Sequence, residues 1–363
     1  MYRIFYTPTK YIQGSGALGL AGDLLARRYK TCFAVLDPGV EAMLREKLAN
    51  AFAPDAHPGA PVLHSAVALG ECCEEEIQRL SAMARKVEAD IVIAAGGGKT
   101  VDIGKSVAAQ LGVDSVIAPT IAASDAPTSS IAVMYTSDHV YKGAVRFPDN
   151  PYMILVDTEI IAQAPPRFLA AGMGDALATK IEAERCMQAM GKNLHGFMGT
   201  DSAMQLAIRA YDIILADGIC AMCDVAEKKL SPAVEAVVEA NILMSGIGWE
   251  NCGVTIPHAF HGSLSPFHKF DKSMHGERVA LGILLQLHYD GLTAEYQRLR
   301  EFFARVGLPL TFKDISGGEE VTEKEMQEMC AFISRPESYA HSIPGGLNND
   351  RLMNSLRYFA SLA

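Results

Sequence analysis

Over the first 160 or so positions, apolar residues fall in short runs separated by stretches whose apolar positions recur every three or four residues. Thr31-Cys-Phe-Ala-Val-Leu-Asp37, a run around Val62, Asp90-Ile-Val-Ile-Ala-Ala-Gly96, Ser115-Val-Ile-Ala-Pro-Thr120, Ile131–Tyr135 and Tyr152–Asp157 read as strands. Helical periodicity lies between them at about 40–52, 74–87 and 99–111, and a turn is expected between Tyr135 and Tyr152. Uninterrupted β-branched runs suit strands covered on both faces, and strands alternating with helices predict an α/β domain with a mainly parallel sheet. After Pro165-Pro166 the pattern changes. Residues 167–190, 200–217, 225–250, 275–290, 292–306 and 322–334 carry helical periodicity and almost no strand signal. We therefore expect two domains, an α/β domain over 1–162 and an all-helical domain over 163–363, with a small-molecule site in the cleft between them.

The strand ending at Gly96 runs into Gly97-Gly98-Lys99-Thr-Val-Asp102. A glycine turn that opens a helix presents free amides and the positive end of the helix dipole, a site for phosphate, and Lys99 adds a full charge. Gly14-Ser-Gly16-Ala-Leu-Gly19 also spells G-x-G-x-x-G. The segment before it is a poor buried strand, so we read it as a turn bordering a helix and not as the principal phosphate site. Asp37, at the end of a strand, stands where a carboxylate meets adenosine ribose hydroxyls in dinucleotide folds, and it would favour NAD over NADP.

The formal charge of −10 and the lack of any basic run argue against nucleic acid as a partner. No apolar stretch approaches the length of a membrane span. Met1-Tyr-Arg-Ile-Phe-Tyr-Thr-Pro lacks the basic-then-apolar pattern of a secretory signal, so a cytoplasmic protein with reduced thiols is expected. Cys220 and Cys223 form a lone CxxC inside a helical pattern, with no second pair to complete a zinc site, and we read them as packing.

His258, His261, His268 and His275 fall within 18 residues around a Gly/Pro-containing turn, a spacing that points to a metal site. Two imidazoles need a further ligand. Asp175, at the start of a predicted helix in Gly172-Met-Gly-Asp175-Ala-Leu-Ala-Thr, is the attractive carboxylate, although a helix cap would use the same residue. Two histidines and one aspartate leave coordination positions open, as in catalytic zinc or ferrous sites.

Taken together, Gly96-Gly-Gly-Lys99-Thr-Val-Asp102, Pro119-Thr-Ile-Ala-Ala-Ser-Asp125-Ala-Pro-Thr-Ser129, Gly172-Met-Gly-Asp175-Ala-Leu-Ala-Thr and His275-Gly-Glu-Arg-Val-Ala resemble the glycerol dehydrogenases of the iron-containing alcohol dehydrogenase superfamily. The resemblance runs from about residue 8 to about residue 310. It implies a Rossmann-like first domain, a helical second domain, and NAD and a divalent metal meeting in the cleft. By position it makes Asp37 the ribose ligand and gives the pyrophosphate to Gly97, Gly98 and Lys99. Thr120, Ser129, Ile131 and Tyr135 then line the rest of the cofactor site, and Asp175, His258 and His275 hold the metal. Asp125 matches a carboxylate that contacts the substrate hydroxyl, and Asp125 and His261 are candidates for carrying its proton away. The implied reaction is metal-assisted hydride transfer from a small polyol or vicinal diol to NAD, with zinc as the usual metal, iron in some relatives, and a homo-oligomer, often an octamer.

Three departures bear on the substrate. The family's aromatic pair after Asp-Ala-Leu-Ala-Thr is Lys180-Ile181, its Asn-Gly is His261-Gly262, and one of its serines is Ala123. An added Lys or His near the metal would instead suit a carboxylate-bearing substrate, a hydroxycarboxylate or 2-oxo acid, and a glycerol-1-phosphate dehydrogenase on the same scaffold is a further alternative. A lyase related to dehydroquinate synthase would recycle NAD within each turnover.

Overall fold

The computed structural model describes residues 2–138 and 140–362. Among them the strands are β1 (Lys10–Gly14), β2 (Thr31–Leu36), β3 (Val62–Val67), β4 (Ile91–Gly96), β5 (Asp114–Pro119), β6 (Ile131–Tyr135), β7 (Tyr141–Arg146) and β8 (Met153–Asp157). Six form one parallel sheet in the order β1-β8-β5-β4-β2-β3, while β6 and β7 make a separate antiparallel hairpin. Four helices intervene: α1 (Ala21–Leu25), α2 (Glu41–Ala51), α3 (Glu74–Lys86) and α4 (Gly98–Leu111). Side chains along a strand alternate between faces. Cys32, Ala34 and Leu36 of β2 accordingly pack with Leu44 and Leu48 of α2. Phe33 and Val35 pack with Ile77 and Leu80 of α3 and with Ile103 and Val107 of α4. Both faces are covered, which is why these strands show no polar alternation.

The order of the strands decides where a ligand can sit. From β2 the chain steps outward to β3, then crosses back over β2 to β4 and continues the other way to β5. Such a reversal opens a crevice at the carboxyl ends of the two strands that flank it. Here these ends carry Asp37 and the Gly96-Gly97 turn, joined by the Asp37 N–H donating to the Ala95 carbonyl at 2.9 Å.

From Thr158 onward the regular elements are helical: α5 (Thr158–Gln163), α6 (Pro166–Gln188), α7 (Asp201–Ala226), α8 (Pro232–Glu239), α9 (Ser245–Cys252), α10 (Ile256–Ser263), α11 (His275–Asp290), α12 (Thr293–Val306), α13 (Phe312–Ser316), α14 (Glu323–Ile333) and α15 (Asn349–Ala360). The long, small-residue helix α6 packs against α7, α9 and α11. One apolar core runs from Ala94, Ile117 and Ile154 of the sheet into Met173 and Leu177 of α6 and Leu284 of α11, so the two halves share their interior.

Several elements differ from expectation. β7 replaces part of the turn foreseen between Tyr135 and Tyr152; its residues are nearly all exposed, so no apolar alternation marks it. Helix α7 runs on to Ala226, and both Cys220 and Cys223 are exposed on it, so they do not pack in the core. The single helix expected over 225–250 is broken, with α8 and α9 joined by a π-helical turn at Ala240–Met244. Helices α10 and α15 went unforeseen, although Leu352, Leu356 and Phe359 give α15 a spacing of four and then three. No described helix is long and apolar enough to cross a membrane.

Candidate active site

The glycine turn after β4 lies directly against Asp37. A Cβ on Gly96 would sit 2.5 Å from the Asp37 Cβ and 2.8 Å from the Thr100 Cβ, a space only glycine leaves open. Asp37 Oδ2 accepts from the Gly97 N–H at 3.1 Å and the Thr100 hydroxyl at 3.2 Å, and Oδ1 accepts from the Gly39 N–H at 2.9 Å. Beside this turn opens a cleft of about 470 Å³, lined by Asp37, Gly97, Thr120, Ile121, Ile160 and Phe168 among others. Lys47 stands on its wall, a cation that the sequence had not marked.

The other predicted cofactor residues lie outside that cleft. Gly98 begins α4, where a Cβ would be 4.0 Å from the Ser124 hydroxyl. Lys99 is ion-paired with the buried carboxylate of Glu71. Tyr135 lies on the same side; burial first, then the Glu71 and Asp102 charges, push its hydroxyl up to about 12. Ser129 and Ile131 are gathered by the buried Lys105 of α4, whose Nζ donates to the Ser129 hydroxyl at 3.2 Å and to the carbonyls of Ala126 and Ile131 at 2.5 and 2.8 Å. Burial pulls the Lys105 pKa down against the opposing pull of Asp102, itself raised by burial. The 126–131 loop is thereby tied to the helix that starts at the glycine turn. The Gly14–Gly19 segment is filled differently. Its Gly16 and Leu18 amides donate to Asp157 at 3.0 and 3.4 Å, so a side chain of the protein takes the place an anion would need.

Three helices bring the predicted ligands together. Asp175 comes from the middle of α6, His258 from the first turn of α10 and His275 from the first position of α11. One oxygen of Asp175 and one nitrogen from each histidine lie within 4.8 Å of one another. Close backbone approach makes this possible. A Cβ on Gly276 would lie 1.9 Å from the Ala171 carbonyl oxygen, and one on Gly172 would lie 1.9 Å from that of Ala122. Helix α11 and the loop leading to Asp125 thus both touch the backbone of α6.

The electrostatics suit a cation. Asp175 Oδ1 and His258 Nε2 are buried polar atoms with no hydrogen-bond partner. His275 Nε2 lies 3.1 Å from Asp175 Oδ1, but without the alignment of a hydrogen bond, since that oxygen remains unpartnered. Lone pairs converging on one point inside a protein are costly unless a positive charge sits among them. Burial opposes ionisation of Asp175, yet the His275 and His258 imidazoles hold its carboxyl below the usual range. Burial likewise opposes a charged His258, but Glu182, Asp175 and Asp125 raise it to about 9. The residues fit a divalent cation with three protein ligands.

Asp125 borders this cluster. Its backbone N–H donates to Asp175 Oδ2 at 3.2 Å, and its own Oδ2 is buried without a partner. Burial and then the Asp175 charge push its carboxyl well above the ordinary range. His261 Nε2 lies 3.2 Å from His275 Nδ1, and burial, then the His275 and Arg278 charges, keep His261 well below the ordinary histidine range. With its other ring nitrogen, Nε2, given to a cation, His275 would carry its proton on Nδ1 and donate it to His261. His268 stands apart, exposed and paired with Asp271. Lys180 also points elsewhere, with Nζ 3.1 Å from Glu184 and 4.6 Å from the Tyr211 ring centroid, so it brings no charge to the cluster.

Similarity to known proteins extends over nearly the whole chain. The family model for iron-containing alcohol dehydrogenase matches residues 8–158. A glycerol dehydrogenase of Thermotoga maritima is 39% identical over 93% of this chain and 91% of its own. The chain belongs to the iron-containing alcohol dehydrogenase family. It is an oxidoreductase of that family, built as an α/β domain with a parallel sheet followed by helices. A glycerol dehydrogenase of Pseudomonas putida is 35% identical over 98% of this chain and 96% of its own. The crystal structure of a family member, the glycerol dehydrogenase of Schizosaccharomyces pombe, superposes with a TM-score of 0.93 at 30% identity, covering 99% of this chain and 91% of that one.

Sequence reasoning missed three buried charged groups behind the site: Glu71 behind Lys99, Lys105 behind the 126–131 loop, and Glu182 behind His258. For Glu182 a signal was present. Asp175, Thr179 and Glu182 recur at spacings of four and three, a polar stripe on a buried helix face otherwise made of alanine, glycine and apolar residues.

Proposed function

We propose that the protein oxidises a small polyol or vicinal diol with NAD, glycerol to dihydroxyacetone foremost, with the aid of a divalent cation held by Asp175, His258 and His275. The observation that carries this reading is the convergence of these three side chains beside the unpartnered carboxyl oxygen of Asp125. Residues 1–162 would form the NAD domain and 163–363 the metal and substrate domain. When bound, NAD supplies the hydride acceptor and the cation supplies the Lewis acidity that lowers the pKa of the substrate hydroxyl.

The chain's own residues bind, orient and move the proton. Asp37 accepts from the ribose hydroxyls, and its charge repels a 2′-phosphate. The Gly98 amide at the start of α4 would face the pyrophosphate with the Lys99 charge nearby, while Gly97, whose N–H is given to Asp37, would let the backbone come close. Thr120, Ser129, Ile131 and Tyr135 would complete the cofactor wall, with Ser129 and Ile131 held by the Lys105 bonds. Asp125, whose buried Oδ2 has no partner beside the three ligands, is the group placed to take the hydroxyl proton, its ionised form favoured when a cation offsets the Asp175 charge. The hydride leaves the carbinol carbon, the proton leaves through Asp125 to water, and a carbonyl remains. His261, kept neutral, accepts from His275 and fixes the direction of that ring. An aspartate with two histidines suits zinc, and ferrous ion is the alternative metal. We further propose a cytoplasmic homo-oligomer, an octamer by analogy with the family. A 2-oxo acid substrate is disfavoured because Lys180, the added cation, is engaged by Glu184 and Tyr211.

The test is NADH absorbance at alkaline pH, with zinc-loaded protein, glycerol and 1,2-propanediol, against chelator-stripped protein. Metal-dependent NADH formation is expected. Silence with both diols, alongside NADH consumption with 2-oxo acids, would overturn the substrate; bound NAD and metal with no net NADH from either would favour the lyase.

A further inference from the structure

Glu182 is fully buried on α6, and both of its carboxyl oxygens are engaged with one short segment. Oε1 accepts from the backbone N–H of Thr255 at 2.7 Å and of His258 at 3.2 Å. Oε2 lies 2.6 Å from Nδ1 of His258. The Thr255 hydroxyl, which ordinarily would cap α10, instead donates to Gln286 Oε1 at 3.0 Å. Glu182 therefore closes the first turn of α10 from outside and at the same time meets the imidazole that the turn carries.

We propose that Glu182 is a positioning residue that keeps the His258 proton on Nδ1, so that Nε2 offers its electron pair to the metal. This rests on the functional reading above. An ionised carboxylate only accepts, so the ring nitrogen facing it must donate. In the neutral ring that a metal requires, the other nitrogen, Nε2, is then free of a proton, and it is the one that lies 3.7 Å from Asp175 Oδ1 with no hydrogen-bond partner. The two backbone donors on Oε1 leave the carboxylate no freedom to turn away.

The substitution that separates orientation from shape is Glu182→Gln. Two backbone N–H groups require the amide oxygen at the Oε1 position, which turns the amide NH2 toward Nδ1 and drives the proton to Nε2. Gln286→Leu is the structural comparison, because it loosens the same turn without touching the imidazole. Glu182→Asp keeps a proton-free acceptor. Zinc affinity is read by chelator competition, the number of bound imidazoles by X-ray absorption at the zinc edge, and folding by circular dichroism. Glu182→Gln is expected to lose about 10- to 100-fold in zinc affinity and one imidazole from the zinc shell. Gln286→Leu keeps both imidazoles, and Glu182→Asp binds more tightly than Glu182→Gln. Wild-type affinity with two imidazoles in folded Glu182→Gln overturns the proposal, as does an equal loss in Glu182→Gln and either of the other two variants. Wild-type protein that binds no divalent cation at all would overturn the functional reading with it, a result distinct from these.

Discussion

Replacing Gly276 with alanine adds a single methyl group where the backbones of α6 and α11 touch. The new Cβ would fall 1.9 Å from the Ala171 carbonyl oxygen and 2.5 Å from its carbonyl carbon, whereas real Cβ contacts essentially never fall below 3.0 Å. Backbone cannot swing aside as a side-chain tip can, so α11 must retreat from α6 by about 1 Å. His275 is the neighbouring residue, and it leaves Asp175 by a similar amount. Overpacking of this kind costs about 1–3 kcal/mol. At ~2.1 cal/mol/K per residue the unfolding entropy converts this to a Tm fall of roughly 1–4 °C. The functional loss is larger, because a displacement of about 1 Å at a reacting centre costs on the order of 100-fold in rate. Gly22→Ala provides the comparison. Its Cβ would fall 2.0 Å from the Ala51 carbonyl oxygen, a nearly equal overlap, but between α1 and α2 in the first half of the chain. Thermal melts, zinc titration against a chelator and kcat should therefore show two variants of similar Tm, of which only Gly276→Ala loses zinc affinity and turnover. Equal zinc affinity in the two would refute the argument that the glycine contact sets the Asp175–His275 spacing.

Two further outcomes follow from the charges. Burial alone would lower the His258 pKa, but Glu182, Asp175 and Asp125 raise it to about 9, so its stabilising contribution is fully present below the unfolded value near 6.5 and is lost as pH climbs to about 9. Chelator-stripped protein should thus lose on the order of 3 kcal/mol of stability to denaturant across that window, a loss the metal-loaded protein avoids because its Nε2 holds no proton. Zinc affinity should rise by up to about tenfold per pH unit up to about pH 9 and then level off; a flat profile would contradict the assignment. Asp37→Ser removes a carboxylate that accepts from Gly97, Thr100 and Gly39. The KM for NAD should rise on the order of 10- to 100-fold, with a smaller change for NADP, as charged hydrogen bonds of about 1.5–3 kcal/mol imply. An unchanged ratio of the two cofactors in steady-state assays would refute the role.

The elements most legible in the sequence are those whose chemistry is local. Strands such as Ile91–Gly96 announce themselves because both faces are covered, and a glycine turn opening a helix needs no distant partner to be recognised. The same holds for the pattern change after Pro165-Pro166 and for the cluster of histidines. β7 was invisible because exposed strands carry no apolar alternation. The helix predicted over 275–290 and the run that opens it set His275 apart from His268, but its meeting with Asp175 of α6 is a matter of packing. Long-range pairings explain the rest: Asp157 filling the Gly14–Gly19 segment, Lys180 turning to Tyr211, and Glu182 reaching back to His258. Periodicity and residue type therefore determined the two kinds of architecture and the inventory of chemistry, because both follow from hydrophobicity and spacing within a few turns. The strand reversal that opens a crevice between Asp37 and Gly97, and the glycine contacts that set Asp175 and His275 side by side, were decided by packing between segments as far apart as Ala171 and Gly276, for which local spacing carries no signal.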